Sequence, residues 1–572
     1  MTATPSTTAP FWSHCGHGAS PADPVGCRGI RIGSGERCLA HLPDADRTAH
    51  LTTLSPGSDL DLRGTTVDEP LLDSIRTACT DPGTGKPRFG QADFTDATFI
   101  GNAHFSSATF TGDAWFASAT FTGDARFSSA TFTGDARFAS ATFNREARFA
   151  SATFNREARF TSATFTRDAL FRSTTFSGNT RFSWATFTRG VRFEAATFEG
   201  LQHLGPVVCA GRVSFDGARF TGTQVTVEAA TSSLTCERTA FEGSVVLLLR
   251  YATVNLNRAT LAAPMALQAE PLPFTGPGGS ALDESLLTDG HHPPGVRLAS
   301  LERVDAAQLV LTDVDLSGCQ FTGAFHLDQI QIGFGCRFAQ PPAGWRRRGV
   351  LPARWSPRKV LAEEQHWRAR EGGRAGHGWP AGPHHGVPEL GAGPEDLVGV
   401  YQQLRKAFEE AGNEPDAADF YYGEMEMRRR DQQRPRAERR LLWAYWLASG
   451  YGLRASRALS WLVAAMGVTL LLMTLFGLPD DTPDPQTTGT YDAGTVTVTT
   501  RTPGPALTLP WGKRVTTGRA ERAGLVVVNS VVFRSSGQNL TPPGTVIEMA
   551  SRIGEPVLLG LAALAVRSRV KR

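Results

Sequence analysis

The sequence lacks the motifs on which most enzyme assignments depend. No glycine-rich phosphate loop, nucleophile elbow or His-Glu-x-x-His helix occurs in its 572 residues. We therefore expect no enzyme activity and no catalytic residue. Glu424 and Glu426 form a carboxylate pair in sequence, but residues two apart on a helix point in different directions, so we interpret them as solvated or ion-paired.

The chain also lacks a large excess of charge of either sign. Its 58 basic and 55 acidic residues leave a formal net charge of +3, which is not typical of a nucleic-acid-binding protein. Eight cysteines at irregular spacing do not match the disulfide framework of a small secreted domain, and no apolar signal peptide opens the chain. We expect reduced thiols, a cytosolic main body and no nucleic-acid partner.

Phenylalanine recurs at alternating steps of five and six residues from Phe105 to Phe198. In the eleven-residue unit Ala119–Ser129, an alanine precedes each phenylalanine by two positions. Because residues two apart share a face of an extended chain, each Ala-x-Phe triplet sends a small and a bulky group inward and its middle residue outward. Threonine fills the outward place at Thr109, Thr120, Thr131, Thr142 and Thr153. A fixed short period of this kind predicts a solenoid.

This pattern resembles the pentapeptide-repeat family, whose A-x-[LF]-x-x units form a right-handed quadrilateral β-helix. Gln91–Phe99 and Val314–Gly323 keep the strict five-residue spacing, whereas the alternation of five and six departs from it. The resemblance implies a mainly β fold. Two eleven-residue units would make one four-sided coil, giving about five coils between Phe89 and Phe198 with a rise of about 4.8 Å each. An eleven-residue, two-sided coil is the alternative.

The predicted solenoid spans residues 89–338, with an inserted loop near 264–294 where proline and glycine interrupt the period. Between Gly101 and Gly200, 11 arginines and 8 acidic residues form two ladders that should largely neutralise each other. We therefore favour a solvated face over a binding strip for an anionic partner. The cysteines of the solenoid are expected to be small buried apolar groups: Cys209, Cys236, Cys319 and Cys336.

Residues 1–88 are predicted to form a cysteine- and histidine-containing segment and a cap for the solenoid, with a short helix at Glu69–Ala78. Zinc binds four cysteine or histidine ligands tetrahedrally. The candidate ligands are Cys15, Cys27, Cys38 and His41, with His17 as the alternative ligand. The segment lacks the paired Cys-x-x-Cys knuckles of zinc ribbons, so unliganded thiols are the other interpretation. No cofactor besides this structural zinc is expected.

The remainder of the chain is predicted to be helical and to reach a membrane. Residues 339–393 are rich in proline, glycine and arginine, which favours a linker. Residues 394–457 are predicted to form a helical hairpin and a basic segment beside the membrane. Within this region, Phe420–Arg429 resembles the juxtamembrane helix of actinobacterial membrane proteins that also carry pentapeptide repeats.

Residues 458–572 are predicted to form the transmembrane region. The stretch 458–478 holds 21 uncharged residues, about 31 Å as a helix, which is enough to cross a bilayer. A second crossing is predicted at 545–566, where Glu548 and Arg552 are spaced to pair at i,i+4. Nine arginines lie between Arg428 and Arg457, before the first predicted span, whereas Asp480, Asp481 and Asp484 follow it. This distribution predicts a cell-membrane protein with its solenoid in the cytoplasm.

The function favoured by these features is a membrane-anchored scaffold for protein–protein interaction, with an unidentified protein partner and with self-association left open. The alternative is a channel-like or sensory protein with two transmembrane helices. The two spans and the intervening stretch Gly524–Arg534 resemble a two-helix pore module in outline. However, Ser535–Leu540 stands where a potassium filter would have a Thr-Val-Gly-Tyr-Gly-like run, so ion selectivity is unsupported.

Overall fold

The computed structural model describes most of the chain, in two compact units, residues 1–413 and 414–572. Parts of the predicted loop and linker, and Asp481 and Asp484, lie outside the described residues. The described ranges are 9–288, 294–343, 345–348, 351–355, 357–371, 378–380, 391–480, 485–492, 494–501 and 503–570.

The first unit contains a parallel β-solenoid of about 11 turns, which confirms the predicted fold class. In its regular part, four short strands make one coil, and strand partners lie 22 residues apart, as in Thr120 beside Thr142 and Ala136 beside Ala158. The four-sided coil of 22 residues is therefore the correct reading of the repeat. The two-sided coil of eleven residues is wrong.

Each side of the regular coils is a ladder of very short strands. The first side comprises Leu60–Asp61, Ala92–Asp93, Ala114–Trp115, Ala136–Arg137, Ala158–Arg159 and Thr180–Arg181. The second comprises Thr66–Asp68, Thr98–Ile100, Thr120–Phe121, Thr142–Phe143, Thr164–Phe165 and Thr186–Phe187. The third comprises Ala103–His104, Ala125–Arg126, Ala147–Arg148, Ala169–Leu170 and Val191–Arg192. The fourth comprises Lys86–Phe89, Thr109–Phe110, Thr131–Phe132, Thr153–Phe154, Thr175–Phe176, Thr197–Phe198, Arg219–Phe220, Ala240–Phe241 and Thr260–Leu261.

Several strands of the later coils are longer, and three antiparallel pairs lie outside the coils. The later strands are His203–Ser214, Gln224–Thr235, Ser244–Arg250, Thr253–Asn255, Met265–Ala269, Val296–Ser300, Leu309–Thr312, Val314–Asp315 and Gln331–Ile332. The antiparallel pairs are Thr80–Asp81 with Lys86–Phe89, Trp345–Arg348 with Leu351–Arg354, and Gln486–Asp492 with Thr495–Arg501.

The core of the solenoid is a set of phenylalanine stacks that run along its axis. Phe138 is completely buried and lies between Phe116 and Phe160, with ring centroids 4.8 and 5.0 Å away. This spacing equals the distance between paired strands, so each ring contacts its counterparts in the coils above and below. Thr131, on an outward position, is half-exposed. The predicted inward and outward positions are therefore confirmed.

The charged ladders on the outside of the solenoid pair with each other. Arg137 contacts Asp135 of its own coil at 3.2 Å. Glu157 accepts both Arg159 at 3.0 Å and Arg181 of the next coil at 3.4 Å. This pairing supports the interpretation of a solvated face over a strip of uncompensated charge.

The insertion in the solenoid begins later than the sequence suggests. Met265–Ala269 lies in the stretch predicted as a loop near 264–294, but it forms a strand paired on both sides. Its apolar alternation fits the ladder although Pro264 precedes it. The insertion proper is anchored by a buried ion pair of Arg250 with Glu284, at 2.9 Å. Of the solenoid cysteines, Cys209, Cys236 and Cys319 are buried as expected, and Cys336 is half-buried.

The predicted linker 339–393 contains a buried element, because part of it closes the last coils of the solenoid. Glu363 accepts hydrogen bonds from the backbone N–H groups of Phe321 and Thr322, at 2.5 and 2.9 Å. The fully buried Glu364 accepts from Arg358 and from the hydroxyl of Tyr401. The contacts of Glu363 and the contact of Glu364 with Tyr401 join residues about 40 positions apart, which sequence spacing alone does not reveal.

The helices are numbered in chain order. In the first unit they are α1 (Asp44–Thr53), α2 (Glu69–Ala78), α3 (Ser285–Thr288), α4 (Ala362–Glu371) and α5 (Pro394–Glu410). In the second unit they are α6 (Glu414–Arg430), α7 (Arg436–Ser449), α8 (Ala455–Leu472), α9 (Thr517–Val531) and α10 (Pro542–Val570). Glu424 and Glu426 on α6 are ion-paired with Arg428 and Arg429, at 2.7 and 2.8 Å, as interpreted from the sequence.

Candidate metal centre and candidate membrane helices

Three short backbone segments bring the candidate metal ligands together. A bridge between His14 and Ile30 is extended by hydrogen bonds from the N–H of Cys15 to the carbonyl of Gly29 and from the N–H of Gly16 to the carbonyl of Cys27, both 2.8 Å. This ladder places Cys15 beside Cys27. A helical turn at Leu39–His41 then brings Cys38 and His41 to the same point.

The four ligand atoms of Cys15, Cys27, Cys38 and His41 all lie within 4.8 Å of one another. The Sγ atoms of Cys27 and Cys38 are 3.7 Å apart, and Nδ1 of His41 lies 3.2 Å from Sγ of Cys38 and 3.7 Å from Sγ of Cys15. A disulfide requires about 2.05 Å between sulfurs, so these thiols are not bonded. Tetrahedral zinc, with bonds of about 2.0–2.3 Å, needs ligand atoms about 3.5–3.8 Å apart.

His17, the alternative ligand, lies beside this cluster but outside the ligand set. Its ring packs against that of His41, with centroids 4.3 Å apart, and its Nδ1 atom faces the guanidinium of Arg37. The donor set is therefore three thiols and one imidazole. Sequence alone left His17 and His41 as competing ligands, because His17 lies two residues after Cys15 and His41 lies three residues after Cys38.

The cluster is enclosed by backbone and by neighbouring side chains. Cys38 is completely buried, and a Cβ atom on Gly29 would come within 2.8 Å of Cβ of Cys38 and 2.9 Å of its Sγ. Glycine is therefore required at this position for the strand to pass so close to the thiol. The contact with Cys38 lowers the pKa of Cys27 to about 5, and the same contact raises the pKa of Cys38.

The metal-ligand segment is attached to the first coil of the solenoid. The N–H of Ile30 donates to the carbonyl of Arg63 at 2.9 Å, and Nε1 of Trp12 donates to the carbonyl of Arg28 at 2.9 Å. The guanidinium of Arg63 lies over the Trp12 ring, 5.3 Å from its centroid. Because Arg63 follows the first strand of the solenoid, Leu60–Asp61, these contacts hold the segment against the first coil.

Two helices of the second unit are long and apolar enough to cross a membrane. They are Ala455–Gly477 and Pro542–Arg567, with mean hydropathies of 2.1 and 1.4, and 22% of each apolar window is buried. The exposed side chains include Val463 and Leu471 on the first helix and Ile553 and Leu564 on the second. A core helix of a soluble protein would bury such groups, whereas a lipid-facing helix leaves them outside.

Polar contacts join these helices to the short helix α9. Glu555 of α10 is buried and accepts from the hydroxyls of Thr469 and Ser530, at 2.8 and 2.5 Å. Arg519 of α9 donates to the carbonyls of Leu478 and Pro479, at 2.8 and 2.9 Å. These contacts were not predicted, although a carboxylate inside an apolar helix is itself a signal that a partner is needed.

The expected pairing of Glu548 with Arg552 is wrong. Glu548 instead accepts from the backbone N–H of Ser536 at 2.8 Å, and Arg552 donates to the carbonyl of Phe533 at 3.4 Å. Both side chains thus bind the loop that follows α9. Unsatisfied backbone groups in a turn compete effectively for a charged side chain, and this competition outweighs the helical spacing.

Comparison with known proteins supports the interpretation of the repeat. The family model described as "Pentapeptide repeats (9 copies)" matches residues 116–164 and 160–201. Searches of curated proteins and of solved structures give no match. The matched residues form the coils whose phenylalanine stacks and 22-residue strand register are described above. Residues 116–201 of the solenoid are therefore similar to pentapeptide repeats.

Proposed function

We propose that this protein is a membrane-anchored scaffold whose pentapeptide-repeat solenoid faces the cytoplasm and binds partner proteins. The observation that carries the proposal is the pair of apolar helices, Ala455–Gly477 and Pro542–Arg567, with their exposed aliphatic side chains. The nine arginines between Arg428 and Arg457 favour a cytoplasmic location for the chain that precedes the first helix.

A binding role suits the solenoid because its interior is filled and its exterior is extended. The phenylalanine stacks leave no room for a ligand between coils, so recognition would use the outer sides. These sides carry half-exposed threonines and paired charges, which suit a protein partner better than a polyanion. Affinity capture from detergent-solubilised membranes should therefore return a reproducible partner protein.

Topology reporters test the membrane part of the proposal. We expect a reporter fused after Arg572 to behave as intracellular, because two crossings return the chain to its starting side. A reporter inserted between Asp492 and Thr495, in the turn of the exposed hairpin, should behave as external. If the C-terminal fusion is external while the solenoid is internal, Pro542–Arg567 does not cross, and the anchor is a single helix.

We also propose that the cluster of Cys15, Cys27, Cys38 and His41 holds a structural Zn²⁺ ion. Three thiolates and one imidazole are a donor set that zinc prefers, and four protein ligands leave no position for a substrate. The ion would link three short segments that share few apolar side chains. Its task would be to hold the N-terminal cap on the first coil.

The alternative function, a channel-like or sensory protein, is favoured by one observation in the second unit. The short helix α9 lies between the two apolar helices in sequence and is joined to both through Glu555 and Arg519. This order resembles a two-helix pore module, although Ser535–Leu540 does not supply a recognisable filter. Reproducible unitary currents from the purified protein in planar bilayers would overturn the scaffold-only function.

A further inference from the structure

Helix α7 packs one face and leaves the opposite face exposed. Leu442, Tyr445 and Trp446 pack against a cluster that includes Tyr422 and Tyr451. Leu441 is 70% exposed and Trp443 is 48% exposed, and the helical turn places them about 160° apart, at the two edges of the exposed face. Tryptophan favours a boundary between an apolar phase and water, because its ring is apolar and its N–H group is polar.

The same helix carries three arginines without an ionic partner among the described residues. They are Arg436, Arg439 and Arg440; Arg436 and Arg440 are exposed, and Arg439 is half-buried. The neighbouring Arg434, in contrast, contacts both Asp431 and Glu438, at 3.3 and 2.7 Å. The helical positions of Arg436, Arg440 and Trp443 follow the i, i+4, i+7 spacing, so they lie on one stripe.

Helix α7 is fixed to the start of the first apolar helix. The guanidinium of Arg457 donates to the carbonyl of Trp446 at 2.7 Å, and Nε1 of Trp461 donates to the carbonyl of Leu447 at 3.0 Å. Gly450 ends α7 with a left-handed backbone, φ 56°, and α8 begins five residues later. The exposed face of α7 therefore lies at the point where the chain would enter the bilayer.

We propose that α7 is an interfacial helix that binds anionic phospholipid head groups of the membrane in which α8 is inserted. Arg436, Arg439 and Arg440 contact phosphates, and Trp443, on the same stripe, lies among the glycerol groups. The inference rests on the proposed membrane anchoring. A second copy of the chain fits this face less well, because three unpaired arginines would meet three others across a symmetric interface.

The test uses the full chain in a neutral detergent, titrated with dioctanoyl phosphatidylglycerol or dioctanoyl phosphatidylcholine. We expect tighter binding of phosphatidylglycerol. The triple variant Arg436→Gln, Arg439→Gln, Arg440→Gln should bind it at least about tenfold more weakly, since each arginine near an anionic surface contributes roughly fivefold. The matched control is Arg145→Gln, Arg167→Gln, Arg189→Gln, which removes three exposed charges from the solenoid and should not change the affinity.

Equal affinity of both triple variants for phosphatidylglycerol would overturn the inference. So would a change of oligomeric state in Leu441→Ser, Trp443→Ser with unchanged lipid affinity, because that result assigns the face to a second copy. The proposed membrane anchoring has its own test, which is extraction of membranes with alkaline carbonate. If this treatment releases the wild-type chain, the proposed function is wrong. A wild-type chain that stays in the membrane fraction but does not distinguish the two lipids contradicts only the lipid-binding role of α7.

Discussion

Replacing Phe138 with aspartate should destabilise the solenoid by about 5 kcal/mol or more, whereas Thr131→Asp should change its stability by less than about 0.5 kcal/mol. Phe138 is completely buried, stacks on Phe116 and Phe160, and also meets Phe127 and Phe149 edge-on at centroid distances of 5.5 and 5.4 Å. The substitution removes these ring contacts, together with those to Phe132 and Phe143, and leaves a carboxylate without a partner between coils. Urea unfolding followed by far-ultraviolet circular dichroism measures the difference.

The comparison with Thr131→Asp is informative because the two positions belong to neighbouring strands of the same repeat. Both variants gain the same charge, so a general effect of net charge cancels. The two variants differ in the side of the strand on which the charge lies and in the loss of the Phe138 ring, and both differences follow from the inward or outward position. Similar losses of stability in the two variants would contradict the assignment of inward and outward positions. Hydrogen exchange should show the loss spreading from the substituted coil to its neighbours, since each coil contacts only adjacent coils.

Purified full-length protein should contain one zinc ion per chain, and Cys38→Ser should contain none. Cys38 is completely buried, and its Sγ atom lies 3.7 Å from Sγ of Cys27 and 3.2 Å from Nδ1 of His41. Structural zinc binds peptide sites with about 10–16 kcal/mol, so its loss should release the N-terminal cap from the first coil. Elemental analysis gives the ratio of zinc to protein. Protection of the Ile30 and Arg63 amides from hydrogen exchange shows whether the N-terminal segment stays attached to the first coil.

Cys336→Ser is the matched control for this experiment, because Cys336 is a half-buried thiol of the solenoid far in sequence from the cluster. It should retain one zinc ion. Gly29→Ala offers a second variant that leaves every ligand in place, yet its methyl group would approach Sγ of Cys38 within about 2.9 Å and should weaken the site. The absence of metal from wild-type protein prepared without chelators would remove the zinc proposal.

The regular coils could be predicted from sequence because every unit repeats the same information. Alanine and phenylalanine two residues apart specify the inward side nine or more times in succession, and Thr120 beside Thr142 then follows from the period. The start of the insertion and the contacts of the chain that closes the last coils could not be predicted in this way. The contacts of Glu363 with Phe321 and Thr322 occur once, and they depend on how a nonrepeating chain folds back over the last coil.

The candidate metal centre was predictable in composition but not in geometry. Four of the five cysteine and histidine candidates converge, and the choice of His41 over His17 depends on the helical turn at Leu39–His41 and on the position of Arg37. In the helix Pro542–Val570, the i,i+4 spacing suggested a pair between Glu548 and Arg552. Instead, Glu548 and Arg552 bind the backbone of Ser536 and Phe533. A helical spacing pattern predicts contacts along the helix but not contacts with a loop.

The 22-residue register has a consequence for how such a chain can change in length over evolution. A gene duplication or deletion of one whole coil keeps every side in phase, because Ala136 would still pair with an alanine and each ring would still meet a ring. A change of eleven residues exchanges opposite sides, and any other number breaks the stacks. The distance between the two ends of the solenoid can therefore change only in discrete steps of about 4.8 Å, one for each coil.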